Sequence, residues 1–339
     1  MGITSTEKLA EEENRNSINL TSSLTEKIIA QDANGETDQN ANLEIRKTIS
    51  RDRQSAQVES LECLKSVLLD DTVRKIQTAQ ETGASNWLTC LPIRAKGFSL
   101  NKQEFLDAVA LRYGWPVEGI PKTCVCGVPN NVDHTMTCKK GGFVCIRHDE
   151  VRDVTASMLR EVCRDVSTEP ILLPIEGEQW QYRTANTTNE ARVDVSARGF
   201  WTRGQRAFMA IIIFDPMAAC HRRISLEAAH QKNEQEKIRK CGDRIRNVVH
   251  GSFTPLVFTT SGGMGPKTKC LYSRLADVMA EKKHQPRSHV VAWMSCRLSF
   301  SLLRSALLCL RGTRYSAPIT IDIAGLDYQA TVVASGILV

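Results

Sequence analysis

Ala207-Phe-Met-Ala-Ile-Ile-Ile-Phe214 is apolar throughout and rich in β-branched side chains. Such a run predicts a central β-strand covered on both faces, because an exposed face would show polar alternation. Upstream, Ile171–Leu173 and Val193–Ala197 read as shorter strands. Before them, Val151, Val154, Thr155, Met158, Val162 and Val166 recur at helical offsets with Arg, Asp and Glu between, which predicts an amphipathic helix over about 148–166. Downstream the pattern gives a long helix over 225–248, a strand over Pro255–Thr259, a Gly262-Gly-Met-Gly265 loop and a helix over 268–283. The implied class is mixed α/β: a small mixed sheet flanked by helices.

The 339 residues leave room for about two domains plus tails. Apolar content of 42% and charged content of 24% suit a packed core and exclude collagen-like, wholly disordered and disulfide-scaffold classes. The opening MGITSTEKLAEEE has neither a basic nor an apolar stretch of a secretory signal, so the 12 cysteines read as thiols or metal ligands of an intracellular protein, nuclear or cytoplasmic. Residues 1–60 carry 11 acidic and 7 basic side chains, and the remainder 27 and 37. A basic body suits a polyanion such as nucleic acid, although a solvated mixed-charge surface gives the same arithmetic.

Five segments follow from composition. Residues 1–55, polar and poor in aromatics, read as a disordered or loosely helical acidic leader, and 56–120 as helical. Within the latter, Asn101 and Glu104 form a capping box opening a helix through Phe105, Leu106, Val109 and Tyr113, closed by Gly114 and Pro116. Residues 121–146 form a cysteine-dense knuckle, 147–312 the sheet domain and 313–339 a tail whose Thr-Ile-Thr-Ile-Asp-Ile-Ala alternates like an edge strand. Ser288–Leu310 is apolar, but Arg297, Arg304 and Arg311 lie on one stripe. That marks a half-buried packing helix rather than a membrane span, and the stripe with Lys139-Lys140 supplies candidate nucleic-acid contacts.

Cys124-x-Cys126-x7-His134-x3-Cys138 places three thiols and an imidazole within 15 residues. Zinc favours four such ligands in a tetrahedron, and so small a segment without a core would be folded by the metal, making the zinc structural. Cys145 and His148 are near enough to replace a ligand, and four unrelated thiols with a surface histidine would give the same letters. Gly262-Gly-Met-Gly265-Pro-Lys lacks the order of a nucleotide P-loop, and neither Tyr-x-Asp-Asp nor Gly-x-Ser-x-Gly occurs.

Several segments together carry a family resemblance. They include Gly97-Phe-Ser-Leu-Asn-Lys-Gln-Glu-Phe105, Leu111-Arg-Tyr-Gly-Trp115, Cys124-Val-Cys126, Asp133-His134, Cys138-Lys-Lys-Gly-Gly-Phe143 and Arg147-His148. Further on come Ala191-Arg-Val-Asp-Val195, Arg198-Gly199, Asn233-Glu-Gln-Glu-Lys237 and Gly262-Gly-Met-Gly265. Residues 85–312 resemble the C-terminal region of retroelement reverse-transcriptase proteins, in which a Cys-Cys-His-Cys knuckle precedes a restriction-like endonuclease of PD-(D/E)xK type. The resemblance implies a four-stranded mixed sheet with flanking helices and phosphodiester hydrolysis assisted by Mg²⁺. One acid on a strand and a second on the next hold the ion, and a lysine two residues on orients water.

Carried over, Asp194 matches the first carboxylate, while Ala210 and Ile212 stand where the second acid and the lysine belong. Strand alternation puts 210 and 212 on one face, so neither metal binding nor water positioning survives there. Asp215 restores an acid only if a bulge shifts the register. Lys237 matches a family position and is a candidate migrated lysine, with Glu234, Glu236, Glu150 and Asp153 as further acids near the site. Three readings follow. The chain is a nuclease-type remnant with impaired catalysis and residual nucleic-acid binding, an active metal-dependent DNA endonuclease using Asp194, Asp215 and Lys237, or a non-catalytic nucleic-acid-binding module.

Overall fold

The structure, a computed structural model, describes residues 6–31, 39–172 and 192–312. The chain divides into two compact units, Met1–Leu69 and Asp70–Val339.

In the first unit, α1 (Thr6–Ile29) and α2 (Gln39–Val67) contact each other. Where composition leaves 1–55 disordered or loosely helical, the described residues are helical. Glu, Lys, Gln and Leu are good helix formers, and Glu44–Lys47 and Glu62–Lys65 pair one turn apart. Glu13 and Arg53 tie the two helices together, and Ile49 is buried.

The second unit begins with α3 (Asp70–Gln80), α4 (Lys102–Tyr113), α5 (Val132–Thr137) and α6 (Phe143–Arg160). Strands β1 (Arg164–Thr168), β2 (Val195–Arg198) and β3 (Arg206–Phe214) follow, then a short α7 (Ala219–Arg222). Helix α8 (Leu226–Lys237) runs through a π turn over Ile238–Gly242 into α9 (Asp243–Asn247). Strand β4 (Ser252–Thr259), α10 (Pro266–Lys283) and α11 (Arg287–Arg311) complete it. The sheet order is β1-β2-β3-β4, antiparallel across the first two pairs and parallel between β3 and β4.

Strand β3 is interior and buried on both faces, as its sequence requires. Met209 and Ile211, with Val195, Leu256 and Phe258, belong to a core built with Val151, Val154 and Met158 of α6, Leu271 and Leu275 of α10 and Leu298 of α11. On the opposite face Phe208 packs with Leu172, Val193, Cys241 and Ile245, and Phe214 with Val257 and Ala229. The knuckle segment has no core of its own: Met136 and Phe143 pack on Ala306, Cys309 and Leu310 of α11.

Three expectations need correction. The first strand lies at Arg164–Thr168, not at 171–173, where only an isolated Ile171–Arg192 bridge occurs and Leu173 is outside the described residues. The helix before it, α6, spans 143–160 rather than 148–166. Val162 and Val166 keep a helical offset from Val151, but pairing of Ser167 with Ser196 and Thr168 with Val195 draws this stretch into the sheet. In α4 the capping box forms as read, yet the buried residues are Asp107, Ala108 and Ala110, while Phe105 and Leu106 are exposed. Packing selects that face because Arg311 of α11 holds Asp107 through two hydrogen bonds. The alternating 313–339 tail lies outside the described residues.

The outer edge of β4 is occupied by the chain's own return. Thr268 at the start of α10 both accepts from Val257 N–H and donates to its carbonyl, and Gly265 N–H donates to that carbonyl as well. Among the described residues no helix is long and apolar enough to cross a membrane.

Candidate metal centre and the Asp194 cluster

The first ligand pair comes from a tight hairpin. Cys124 N–H donates to Val128, Gly127 N–H donates back to Cys124, and Asn130 N–H closes onto Lys122. Gly127 sits at φ +84°, the left-handed turn that glycine alone enters cheaply. Asn131 then caps α5, accepting from His134 N–H, so His134 projects from the first turn and Cys138 ends the helix.

The four ligand atoms of Cys124, Cys126, His134 and Cys138 lie within 4.8 Å of one another, a cluster that could hold a metal ion. Cys124 Sγ and Cys138 Sγ are 3.8 Å apart, and Cys126 Sγ is 3.3 Å from His134 Nε2. Zinc–sulfur bonds of about 2.3 Å at tetrahedral angles give sulfur–sulfur edges of about 3.8 Å, so the donor set fits that ion in type and in size. Burial pushes the Cys124 thiol up, but hydrogen bonds from the Cys126 backbone, His134, Cys126 and Cys138 outweigh it and bring it down to about 6. Cys145 is exposed on α6 and His148 is turned to Asp194, so neither belongs to the cluster. Lys139 and Lys140 are exposed immediately beyond Cys138.

Asp194 lies where β2 begins. Its Oδ2 accepts from Ile211 N–H of β3, filling the place of a strand acceptor that β2 does not supply there. Its Oδ1 lies 3.3 Å from His148 Nε2. Burial raises the Asp194 carboxyl, yet His148, the Ile211 N–H and nearby Lys237 together hold it below the usual range. Conversely, burial lowers His148, but Asp194 and Asp149 raise it overall. Asp194 and His148 therefore meet, with Lys237 acting on Asp194 through its charge. Beside them Arg152 pairs with Asp149, Asp153 and Glu169.

The other sequence candidates lie elsewhere. Asp215 is buried, accepting from Met217 N–H and from the Thr260 hydroxyl, within the electrostatic reach of Asp133 and Arg147. Burial pushes it up to about 6, and its Oδ2 has no hydrogen-bond partner among the described residues. It lines an apolar cavity of about 140 Å³ with Trp87, Met136 and Leu303. No bulge interrupts the β3 register with β2 or β4, and Asp215 lies four residues, about 13 Å, along from Ile211. Glu234 is buried and accepts from Lys267 N–H, and Glu236 pairs with Lys240. Glu150 is raised by burial and by Asp153 and Asp149. Ala210 is 1% exposed, and Ile212 packs beside Phe214.

The arginine stripe of α11 is engaged within the chain. Arg311 pairs with Asp107, Arg304 donates to the Ser99 carbonyl over the Phe300 ring, and Arg297 lies over Trp293 near Ser157. The partner that sequence reasoning misses is His148 as the support of Asp194. In the sequence it is readable only as a spare ligand, because nothing local links α6 to the start of β2.

No family model matches the chain, and no curated protein is significantly similar to it.

Proposed function

We propose that this chain is a zinc-stabilised, nuclease-type module that binds nucleic acid and does not cut it, related to the C-terminal region of retroelement reverse-transcriptase proteins. The observation that carries the reading is the chemistry of β3. Its register puts Ala210 and Ile212 on the face where a second carboxylate and a lysine would complete a hydrolytic centre around Asp194. One carboxylate, already shared between His148 and the Ile211 amide, is a poor seat for a hard divalent ion that prefers six oxygen ligands. The order of α6, β1, β2, β3, α8 and β4, with a parallel last pair, supports a restriction-like core. Cys124, Cys126, His134 and Cys138 would hold the zinc, which supplies a structural cross-link when bound. These residues then fix the hairpin to α5 and, through Met136, to α11.

A second reading, an active endonuclease with a rearranged site that would require Mg²⁺, is favoured by the contact of Asp194 with His148 and by the charge of Lys237 acting on Asp194. Incubating the purified chain with supercoiled plasmid and Mg²⁺ or Mn²⁺ separates the two. The expected result is one zinc per chain, retention of plasmid at low salt and no nicking. Nicking abolished by Asp194→Ala would establish the second reading instead. Failure to bind plasmid at every salt concentration would overturn the first.

A further inference from the structure

Three arginines stand directly opposite one another across three strands: Arg164 faces Arg198, and Arg198 faces Arg206. Neighbouring strands are about 4.8 Å apart, and like charges in register on a sheet oppose pairing. Among the described residues only Arg206 of the three is ion-paired, to Asp165, and it also donates to the Ser196 hydroxyl. Arg164 and Arg198 are exposed and make no side-chain hydrogen bond or ion pair among the described residues. Arg203 extends the row at the tip of the β2–β3 hairpin, exposed and likewise without a partner among the described residues. That tip turns on Gly199 and Gly204, both at positive φ, with open space around Gly204.

We infer that this row, Arg164, Arg198, Arg203 and Arg206, is the surface that grips the phosphate backbone of duplex DNA. The inference rests on the nucleic-acid reading above and gives it a location. A row in which three of four guanidinium groups lack a partner among the described residues is costly alone and becomes favourable once phosphates neutralise it, with counterions released. Recognition by stacking has no counterpart here. Phe200 is buried, and Trp201 packs against the core while its indole N–H donates to Thr254 at 3.1 Å. Single-strand binders present aromatic platforms, so a cationic row without one selects backbone contacts on a duplex. The α11 arginines, each held within the chain, are not this surface.

The test uses the full chain and a fluorescent 20-base-pair duplex titrated across salt concentrations. Substituting Arg164, Arg198 and Arg203 together by Gln should make the log–log salt slope shallower by about three, one for each phosphate left without its arginine. The same triple variant without DNA should melt at or above the wild-type temperature, because in-register repulsion is relieved. That opposite pair of signs separates a binding surface from a structural one. Arg198→Lys keeps the charge and should keep the slope, which guards against misfolding as the cause. If wild-type chain binds but only Lys139→Gln/Lys140→Gln flattens the slope, this inference falls and the broader reading stands. If the wild-type chain binds neither duplex nor single strand, both fall. Tighter binding to a single strand of equal length would overturn the duplex assignment.

Discussion

The knuckle and the Asp194 face of the sheet are built by opposite means. The knuckle has a complete ligand set and almost no core, its few apolar groups leaning on α11. The Asp194 face has a core continuous with β3 and β4 and few ionisable groups, with Ala210 and Ile212 beside Asp194. Ligand chemistry would hold the first region together once a metal is bound; packing holds the second, and it accommodates Ala210 and Ile212. A packed sheet of this kind tolerates apolar residues at such positions, whereas a knuckle folded by a metal would depend on each of its thiols.

The sharpest way to break that contrast is to remove the ligand. Chelation, or Cys138→Ser, should release the metal and forfeit a binding free energy of about 10 kcal/mol or more, which is folding free energy for such a segment. Hydrogen exchange should show amides over 122–142 losing protection while β3 and β4 keep theirs. Equal loss in both regions would mean that the knuckle is integral to the core.

Arg311→Gln should cost about 3 kcal/mol in urea unfolding, because it strands the buried carboxylate of Asp107. DNA affinity should stay unchanged. A fall in affinity without loss of stability would return α11 to the binding surface.

Asp215 offers a third test, of smaller size. Its carboxyl is raised to about 6, so the folded state binds the proton more tightly than the unfolded one. Stability from this group is complete below about pH 4 and falls as pH rises through 6. Asp215→Asn should therefore stabilise the chain at pH 8 by about 2 kcal/mol, with the gain fading towards pH 4, as read by denaturation at both values.

The smallest effect concerns His148, whose titration is raised by Asp194 and Asp149 against burial. In Asp194→Asn its NMR titration midpoint should fall. Because a raised histidine contributes stability below about pH 6.5 that is lost as pH rises through its folded value, the variant's stability deficit should be larger at pH 5.5 than at pH 8. An unshifted midpoint would disconnect α6 from the β2 start.

What is legible in the sequence follows from range. Cys124 to Cys138 span one short segment, so ligand type and spacing can be read directly. The β3 run can be read because burial on both faces leaves no alternative to an apolar strand. Strand β1 cannot: Arg-Asp-Val-Ser-Thr carries two charges, and Asp165 at positive φ breaks the alternation that would have revealed it. Nor can the pairing of Asp107 with Arg311, because its partners meet only through the packing of α4 on α11. The arginine stripe is recognisable as a helix face, but its spacing alone does not distinguish tethers from a docking surface. That distinction rests on Asp107 and the Ser99 carbonyl, both distant in sequence. The arginine row across β1, β2 and β3 is invisible until the register is known.

The occupied edge of β4 has a further consequence, for how the molecule behaves at high concentration. An apolar strand at the border of a sheet is a template on which foreign chains can grow. Here Thr268 and Gly265 already take the hydrogen bonds around Val257 that an incoming strand would need. At the opposite border, β1 meets a newcomer with Arg164, Asp165 and an irregular register. Among the described residues neither side offers a straight, vacant ladder, an arrangement that disfavours fibre growth from a sheet whose middle strand is strongly apolar.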